Sequence, residues 1–235
     1  MTSTPCNSVV KILSSSTYPS VNSPNISGQA GWQQPQTSNI KPQTPLSNFI
    51  LSSNLVSPQK AEEIVSHFKH RSLKKNEFLL KETHVSDEYF FLESGFMRSF
   101  AHDTEGNDIT TNFYSNNQVV FEVSSFFHRI PSKENIQALT DCEGWSISYQ
   151  QLNNLFHSLH EFRDFGRYIL VRLLTALKSR TLSMITETAE QRYETLLKNN
   201  PEIFAHAPLK HIASYLGITD TSLSRIRKEY TKKDH

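Results

Sequence analysis

The chain has 235 residues, enough for one or two domains, and its 24 basic and 23 acidic side chains nearly cancel, so net charge indicates no particular class of partner. The only cysteines, Cys6 and Cys142, are too few for a disulfide framework or a four-cysteine iron–sulfur cluster. No apolar run reaches the ~20 residues of a membrane span, and no basic start precedes a compact apolar stretch, so we expect a cytoplasmic protein without a signal peptide.

Residues 1–48 differ from the rest of the chain in composition. They contain six of the ten prolines and ten serines, and Lys11 and Lys41 are their only charged side chains. Such a segment cannot bury enough apolar surface to offset the entropy of the chain. We therefore predict a disordered extension, for which no motif suggests a role.

Residues 49–158 are predicted to form an antiparallel β-roll. A short helix is expected at 58–70, where apolar residues recur on one stripe. Short runs that favour strands follow, separated by turn residues such as Gly95 and the segment 103–107. The predicted strands cover 78–81, 88–93, 96–101, 108–114, 118–122, 135–140 and 143–148. Short strands with regular turns are typical of a barrel or roll.

Helical periodicity replaces strand alternation after Ser148, a residue suited to cap the helix that follows it. A longer helix is predicted over about 160–185, within a segment 159–186. Its apolar stripe, widened by Leu170, Leu174 and Leu177, exceeds the ~100° that one contact needs. We expect this helix to contact both the roll and the same helix of a second subunit. The alternative is a helix buried entirely in the core of a monomer.

The last predicted domain, 187–235, contains a helix at 188–199, a short helix after Pro201 and a helix-turn-helix at 209–228. Gly217 falls at the turn, where a positive φ is needed, and Thr219 can cap the second helix. Small and apolar residues occupy the positions where the two helices pack together: Ile212, Ala213, Leu216, Ile218, Leu223 and Ile226.

The second helix of this motif leaves a polar outer face once Leu223, Ile226 and Tyr230 are buried. The candidate DNA-binding residues are Asp220, Thr221, Ser222, Ser224, Arg225, Arg227, Lys228 and Lys232. Arg225 is the candidate for reading guanine, because its planar fork can donate two bonds to one base. Residues 220–222 lie at the end that would enter the major groove. The basic residues from Arg227 to Lys233 are assigned to phosphates, and His211 to the surface or a phosphate.

A strand-rich roll, a long helix and this motif together resemble the Crp/Fnr family of transcription regulators, over about 49–232. The stretches FMRSF at 96–100, PSKENIQAL at 131–139, and IASYLGIT followed by SLSRIRK resemble its Bacteroidetes-type branch. The resemblance implies an α+β fold: a cyclic-nucleotide-binding-like jelly roll, a dimerisation helix and a winged-helix-like helix-turn-helix. It further implies a homodimer on a two-fold palindrome in double-stranded DNA, and RNA polymerase as a further partner.

The resemblance weakens at the ligand pocket. Nucleotide-binding members hold the ribose and cyclic phosphate with a Gly-Glu-Leu stretch and an Arg-Ser pair. Here Glu122 matches the carboxylate but Phe121 replaces the glycine, and Ser132 and Lys133 stand about where Arg-Ser would be. Lys133 offers a point charge instead of a fork. We therefore expect no cyclic nucleotide cofactor; the roll binds another small ligand or none.

Two other classes of function compete with DNA binding. A metal-dependent enzyme on a β-roll needs clustered histidines with a carboxylate, but the ten histidines are scattered, and neither GxSxG nor a phosphate loop occurs. We therefore expect no catalytic residue and no metal site. The alternative to DNA binding is a ligand-sensing or scaffold protein whose C-terminal helices bind a protein. Such a face should present apolar anchors, whereas residues 220–233 present Thr, Ser, Arg and Lys.

Overall fold

The computed structural model describes residues 43–233, with Lys233 described only in its backbone. The predicted disorder of the preceding segment therefore lies outside the described residues. The helices are α1 (Pro45–Leu51), α2 (Pro58–Val65), α3 (Val123–His128), α4 (Tyr149–Ser158), α5 (His160–Thr186), α6 (Ala189–Asn199), α7 (Glu202–His206), α8 (Leu209–Leu216) and α9 (Asp220–Lys233). The strands are β1 (Lys69–Leu73), β2 (Phe78–Leu80), β3 (Glu88–Ser94), β4 (Met97–His102), β5 (Asp108–Tyr114), β6 (Gln118–Val120), β7 (Asn135–Ala138) and β8 (Cys142–Ser148).

The eight strands form two antiparallel sheets, which confirms the predicted roll. The first sheet has the order β1-β8-β3-β6 and the second β2-β7-β4-β5. Alternate residues of the strands point between the sheets, as the period of two requires, and form one apolar core. That core includes Leu73, Leu80, Phe90, Met97 and Ile136. The predicted strand 108–114 coincides with β5, which pairs with β4 through the turn at 103–107.

Helices cover the outer face of the first sheet. Residues from α1, α2, α4 and the first part of α5 pack with outward-facing residues of the sheet such as Phe91 and Ile147. Helix α1 begins after the cap residue Thr44 and buries Leu46 and Ile50. Placing residues 45–48 in a disordered extension is therefore wrong, because two apolar side chains four residues apart dock this short helix on the core.

Two elements differ from the sequence prediction. The helix predicted to reach residue 70 ends at Val65, and β1 starts at Lys69, paired with β8. Phe68 is buried as expected, but on the connection between them. The strand predicted over 118–122 ends at Val120, because the Glu122 carboxylate accepts bonds from the backbone of Ser124 and Ser125 and caps α3.

The chain after β8 is helical, as predicted. Ser148 caps α4 in a reciprocal arrangement with Gln151, which confirms its role. Helix α5 has 27 residues, and none of the described helices is long and apolar enough to cross a membrane.

The C-terminal helices cover the outer face of the second sheet. Phe96, Phe113 and Leu139 of the roll share an apolar cluster with residues of α6, α7, α8 and α9. Helix α8 lies along the edge strand β5, where the Thr110 backbone N–H donates to the Ser214 hydroxyl at 3.2 Å. This contact covers a strand edge that would otherwise be free to pair with another chain. All regular elements from 189 to 233 are helices, so the motif has no strands to form the expected wing within this described stretch.

Candidate functional site

Helices α8 and α9 form the predicted helix-turn-helix. Gly217 ends α8 with a φ of 67°, a left-handed conformation that glycine adopts without steric cost. A side chain at this position would also meet Met184, whose methyl carbon lies 2.6 Å from the place of a Cβ. Leu216, Leu223 and Ile226 are buried between the two helices and their neighbours. The sequence therefore predicted both the turn and its packing correctly.

The start of α9 is held by a cluster of hydroxyl groups. The Thr219 hydroxyl accepts from the Ser222 backbone N–H at 3.2 Å, which confirms it as the cap. It also lies 2.9 Å from the Thr221 hydroxyl and 3.0 Å from the Ser222 hydroxyl. Ser222 is half-buried and bound within this cluster, so its hydroxyl is less free to meet a base than the outward position suggested.

The outer face of α9 is polar and basic. At about 100° per residue, Thr221, Arg225, Lys228 and Lys232 lie opposite the buried Leu223 and Ile226. We call these four residues the reading face; all four are exposed, as are the flanking Asp220, Ser224 and Arg227.

The basic side chains of this face are free of internal partners. Within residues 43–232, the side chains of Arg225, Arg227, Lys228 and Lys232 take part in none of the ion pairs or hydrogen bonds. Four unpaired positive charges on one exposed helix favour contact with a polyanion.

The prediction that His211 lies at the surface or meets a phosphate is wrong. His211 is only 7% exposed, because α8 turns this side of the motif toward the roll. Burial, with the nearby Arg98 and Lys210, lowers the pKa of His211 to about 4. The sequence alone could not reveal this burial. A histidine next to a lysine on a helix is expected at the surface unless the surface that the helix packs against is known.

Arg98 of β4 is the principal charged neighbour of His211. Its guanidinium donates to Asp108 at 2.7 Å and stacks 3.9 Å from the centre of the Phe100 ring. Arg98 is 3% exposed, yet its Nε and Nη1 have no hydrogen-bond partner, and neither have His211 Nδ1 and Thr110 Oγ1. The contact between the roll and α8 thus contains four buried polar atoms without a partner among the described residues.

Two further arginines hold the end of α8. Arg180 of α5 donates to the Tyr215 carbonyl at 3.0 Å, and Arg192 of α6 donates to the Leu216 carbonyl at 3.1 Å. The sequence predicted neither contact. Its only hint is an arginine near the end of α5 and another near the start of α6, which is too weak to assign a contact.

The second half of α5 exposes a row of apolar side chains. The exposed fraction is 58% for Val171, 65% for Leu174, 61% for Leu177 and 75% for Ile185. By contrast, Phe162, Phe165 and Ile169 in its first half are buried against the roll. The first half of the apolar stripe is therefore buried against the roll, and the second half is exposed to solvent. This argues against a helix buried entirely in the core of a monomer.

The three candidate pocket residues have different environments. Glu122 is occupied in capping α3. Ser132 is buried and forms a local turn, in which its hydroxyl accepts from the Glu134 backbone N–H and donates to the Glu134 carbonyl. Lys133 is exposed. Arg129, the nearest arginine in sequence, bonds to Asp87 at 2.6 Å and to a backbone carbonyl of the adjoining loop.

The groups near these residues make the region acidic. Burial raises the pKa of Glu134, and the nearby Glu122 carboxylate raises it further. A hydrogen bond to the Thr111 side chain acts in the opposite direction. Burial likewise raises the pKa of Tyr114, whose hydroxyl bonds to Asn112 and Ser99 and which faces both carboxylates. A cyclic phosphate placed here would meet two carboxyl groups and no guanidinium fork.

A separate cleft of about 410 Å³ opens between the edge strands β1 and β2. Arg71 and Glu88 form an ion pair on one side of it, and Lys81 and His84 lie on the other. Its lining charges balance, so the cleft indicates no particular ligand. Among the described residues, no three His, Cys, Asp or Glu side chains are grouped to hold a metal ion.

Comparisons with known proteins agree with this architecture. The cyclic nucleotide-binding domain family matches residues 70–158, which run from β1 to the end of α4. Over 197 residues the chain is 23% identical to the transcriptional activator protein Anr of Pseudomonas protegens, covering 78% of each chain.

Two solved structures show the same fold over most of their length. The c-di-GMP-responsive global regulator CLP of Xanthomonas campestris matches with a TM-score of 0.61 at 17% identity, covering 76% of this chain and 93% of that one. A protein of the Crp/Fnr family from Eubacterium rectale matches with a TM-score of 0.62 at 14% identity, covering 79% and 88%. The match extends beyond the roll into the C-terminal helices. The Bacteroidetes-type branch stays a prediction.

Proposed function

We propose that this chain is a Crp/Fnr-type transcription regulator: a homodimeric, sequence-specific DNA-binding protein that reads the major groove with α9. The observation that carries the proposal is the reading face. It combines an exposed arginine with exposed lysines on a helix whose other side is anchored by Leu223 and Ile226. A DNA target also places its action in the cytoplasm.

The residues of α9 divide between two tasks. Arg225 is central on the reading face, where its two donors can bond O6 and N7 of one guanine. Thr221 and Asp220 lie at the end of the helix that enters the groove. Lys228, Lys232 and Arg227 are assigned to phosphates, which fix the position of the protein on any sequence.

The exposed row on α5 supports the homodimer. Val171, Leu174, Leu177 and Ile185 recur at intervals of three, three and eight residues, close to a single helix face. An apolar face of this kind exposed to water is unfavourable by about 25 cal/mol for each Å². A second copy would cover it with the same residues, as a two-fold interface requires.

We also propose that the roll does not hold a cyclic nucleotide in the usual way. The phosphate-binding arginine is replaced by Ser132, whose hydroxyl is occupied in its own turn. Glu122 and Glu134 add negative charge, which opposes a phosphate. Any effector of this protein would need a different set of contacts.

Selection of genomic DNA fragments by the purified full-length protein, without added ligand, tests the proposed function. We expect enrichment of a two-fold palindrome with half-site centres about 34 Å apart. Arg225→Ala should lose about 1–3 kcal/mol of specific affinity and relax preference at one position of each half-site.

Lys232→Ala is the matched comparison within the same helix. It should weaken binding to all sequences alike and reduce the slope of log affinity against log salt concentration by about one unit for each subunit, or about two for the dimer. An enriched site that Arg225→Ala recognises with unchanged base preference would contradict the assignment of the reading residue. No enrichment with or without cyclic nucleotides would contradict the function itself.

A further inference from the structure

We propose that Arg180 is a positioning residue that fixes the reading helix relative to the dimerisation helix, and so sets the distance between half-sites that the protein selects. The inference rests on the proposed function, because it concerns how the same DNA site is read. Arg180 lies on α5, outside the helix-turn-helix, and its hydrogen bond and ring contact are both with Tyr215, which is not a candidate DNA-binding residue.

The contact of Arg180 is specific in geometry. Its Nη2 donates to the Tyr215 backbone carbonyl at 3.0 Å, and its guanidinium carbon lies 3.7 Å from the centre of the Tyr215 ring. The Arg180 side chain thus contacts both the backbone and the ring of Tyr215. A planar guanidinium can make both contacts at once, whereas an ammonium group cannot stack in this way.

This contact lies at the end of α8, next to the turn that leads into α9. The last carbonyls of a helix have no partner within the helix and carry its negative end, so a cation there is favourable. Tyr215 stands two residues before Gly217, the turn into α9. Arg192 binds the next carbonyl, of Leu216, and also donates to the Glu187 carbonyl just after α5. Both arginines therefore connect the end of α8 to the end of α5.

Close packing is not the only restraint on this joint. A cleft of about 270 Å³, open to solvent, lies between α5, α6 and α8 and is bordered by Arg180, Arg192, Met184 and Tyr215. Because the helices are separated along this cleft, apolar contacts restrain the angle between α5 and α8 less than they would in a continuous core. The directional contacts of the arginines are then the stronger restraint on that angle.

The angle matters because α5 is also the dimer helix. Its exposed Leu177 lies three residues before Arg180, less than one turn away. If the two α5 helices pair, the position of each reading helix follows from its attachment to α5. One extra base pair between half-sites shifts one of them by about 3.4 Å and about 35°, so a rigid attachment should tolerate little change in spacing.

The test measures binding to a series of operators that differ only in spacing. The palindrome enriched by the full-length protein is synthesised with the spacer shortened or lengthened by one and two base pairs, together with an isolated half-site. Wild-type protein, Arg180→Gln and Arg180→Lys are titrated against each DNA. Arg172→Gln is the matched control, because Arg172 also lies near a tyrosine on α5, but that tyrosine, Tyr168, belongs to the same helix.

We expect wild-type protein and Arg172→Gln to lose at least about tenfold in affinity for each base pair of change. Arg180→Gln should lose less than about threefold, with affinity for the isolated half-site unchanged, and Arg180→Lys should fall between them. Dimer content and thermal midpoint, measured in parallel, should match those of the control.

Other results would overturn the inference. If Arg180→Gln keeps the wild-type spacing preference, or loses the same factor for every DNA including the half-site, Arg180 does not set the spacing. If Arg180→Gln fails to fold, Arg180→Lys decides by the same criteria. If the wild-type protein enriches no palindrome, the proposed function has failed, which is a separate outcome.

Discussion

The outer faces of the two sheets are both covered by helices, but by contacts of different chemistry. The first sheet meets α1, α4 and the first half of α5 through apolar side chains. The ring of Phe91 in β3 packs on Phe49 of α1, which in turn packs edge-on with Phe165 of α5. The second sheet meets the C-terminal helices through an apolar cluster with a charged rim. That rim holds Arg98 and His211, buried together with polar atoms that lack partners.

This difference has an energetic consequence. An apolar contact is stabilised by its area and loses that stabilisation on opening. A buried donor without a partner costs roughly 1–3 kcal/mol, which is recovered when the contact opens to water. The contact on the second sheet is therefore the weaker one for its size. It is also the one that joins the roll to the helices proposed to bind DNA, where a regulator needs two arrangements of similar free energy.

Phe165→Ala should have the largest effect on the first contact. Phe165 is 3% exposed and packs on the rings of Phe49 and Phe162, so removal of its ring should lower the free energy of unfolding by about 3–5 kcal/mol. Urea unfolding followed by circular dichroism measures this change. Arg167→Ala, an exposed change on the same helix, should stay within about 0.5 kcal/mol. A loss below 1 kcal/mol for Phe165→Ala would show that this contact is no stronger than the other.

Acidification should act selectively on the second contact. The pKa of His211 is about 4 in the docked arrangement, against the ordinary histidine value of 6.5 when exposed, so protonation favours release. Docking stability is unaffected above pH 6.5, falls as the pH drops below it, and levels off near pH 4. Burial lowers this pKa most, Arg98 and Lys210 lower it further, and Asp108 and Asp220 oppose them. From pH 7.5 to pH 5 the loss should be about 2 kcal/mol.

Hydrogen exchange at β5 reports on this contact, because the Thr110 N–H donates to Ser214 of α8. Protection of residues 108–114 should fall on acidification by more than the chemical exchange rate predicts, while β3 in the first sheet should keep its protection. His211→Gln, compared at the same pH, should abolish the extra loss. Equal protection of β5 in both proteins at pH 5 would show that His211 does not control docking.

The sequence predicted local features well and distant contacts poorly. Strand β5 and the turn at Gly217 were identified because alternation in a strand, a hairpin turn and a positive φ each require particular residue types within a few positions. Strand β1 was missed because KHRSL has no clear alternation and becomes a strand only by pairing with β8, about 70 residues later. The same limit explains His211 and Arg180, since their roles depend on what α8 packs against.

The reading face could be predicted because its chemistry is turned toward solvent. Arg225 and Lys228 are exposed, and their positions follow from the helical period and the buried Leu223 and Ile226. The candidate pocket could be predicted only in part. The absence of a phosphate-binding arginine is visible in the sequence, whereas the occupation of the Glu122 carboxylate by the α3 backbone requires the fold.

Arg98→Met should have the smallest effect and would make the second contact resemble the first. It removes a buried cation with two unpartnered nitrogens and keeps apolar bulk on the Phe100 ring. Replacing poorly satisfied buried charge with apolar side chains is often neutral or stabilising, so docking should change by about 1 kcal/mol or less, toward greater stability. Because Arg98 lowers the pKa of His211, its removal should raise that pKa toward 6.5, so β5 should lose less protection between pH 7.5 and pH 5 than in the wild-type protein. Hydrogen exchange of residues 108–114 between pH 7.5 and pH 5 measures both changes. A large loss of protection at pH 7.5 would show that the Arg98–Asp108 pair holds the contact closed, and that the charged rim stabilises docking instead of weakening it.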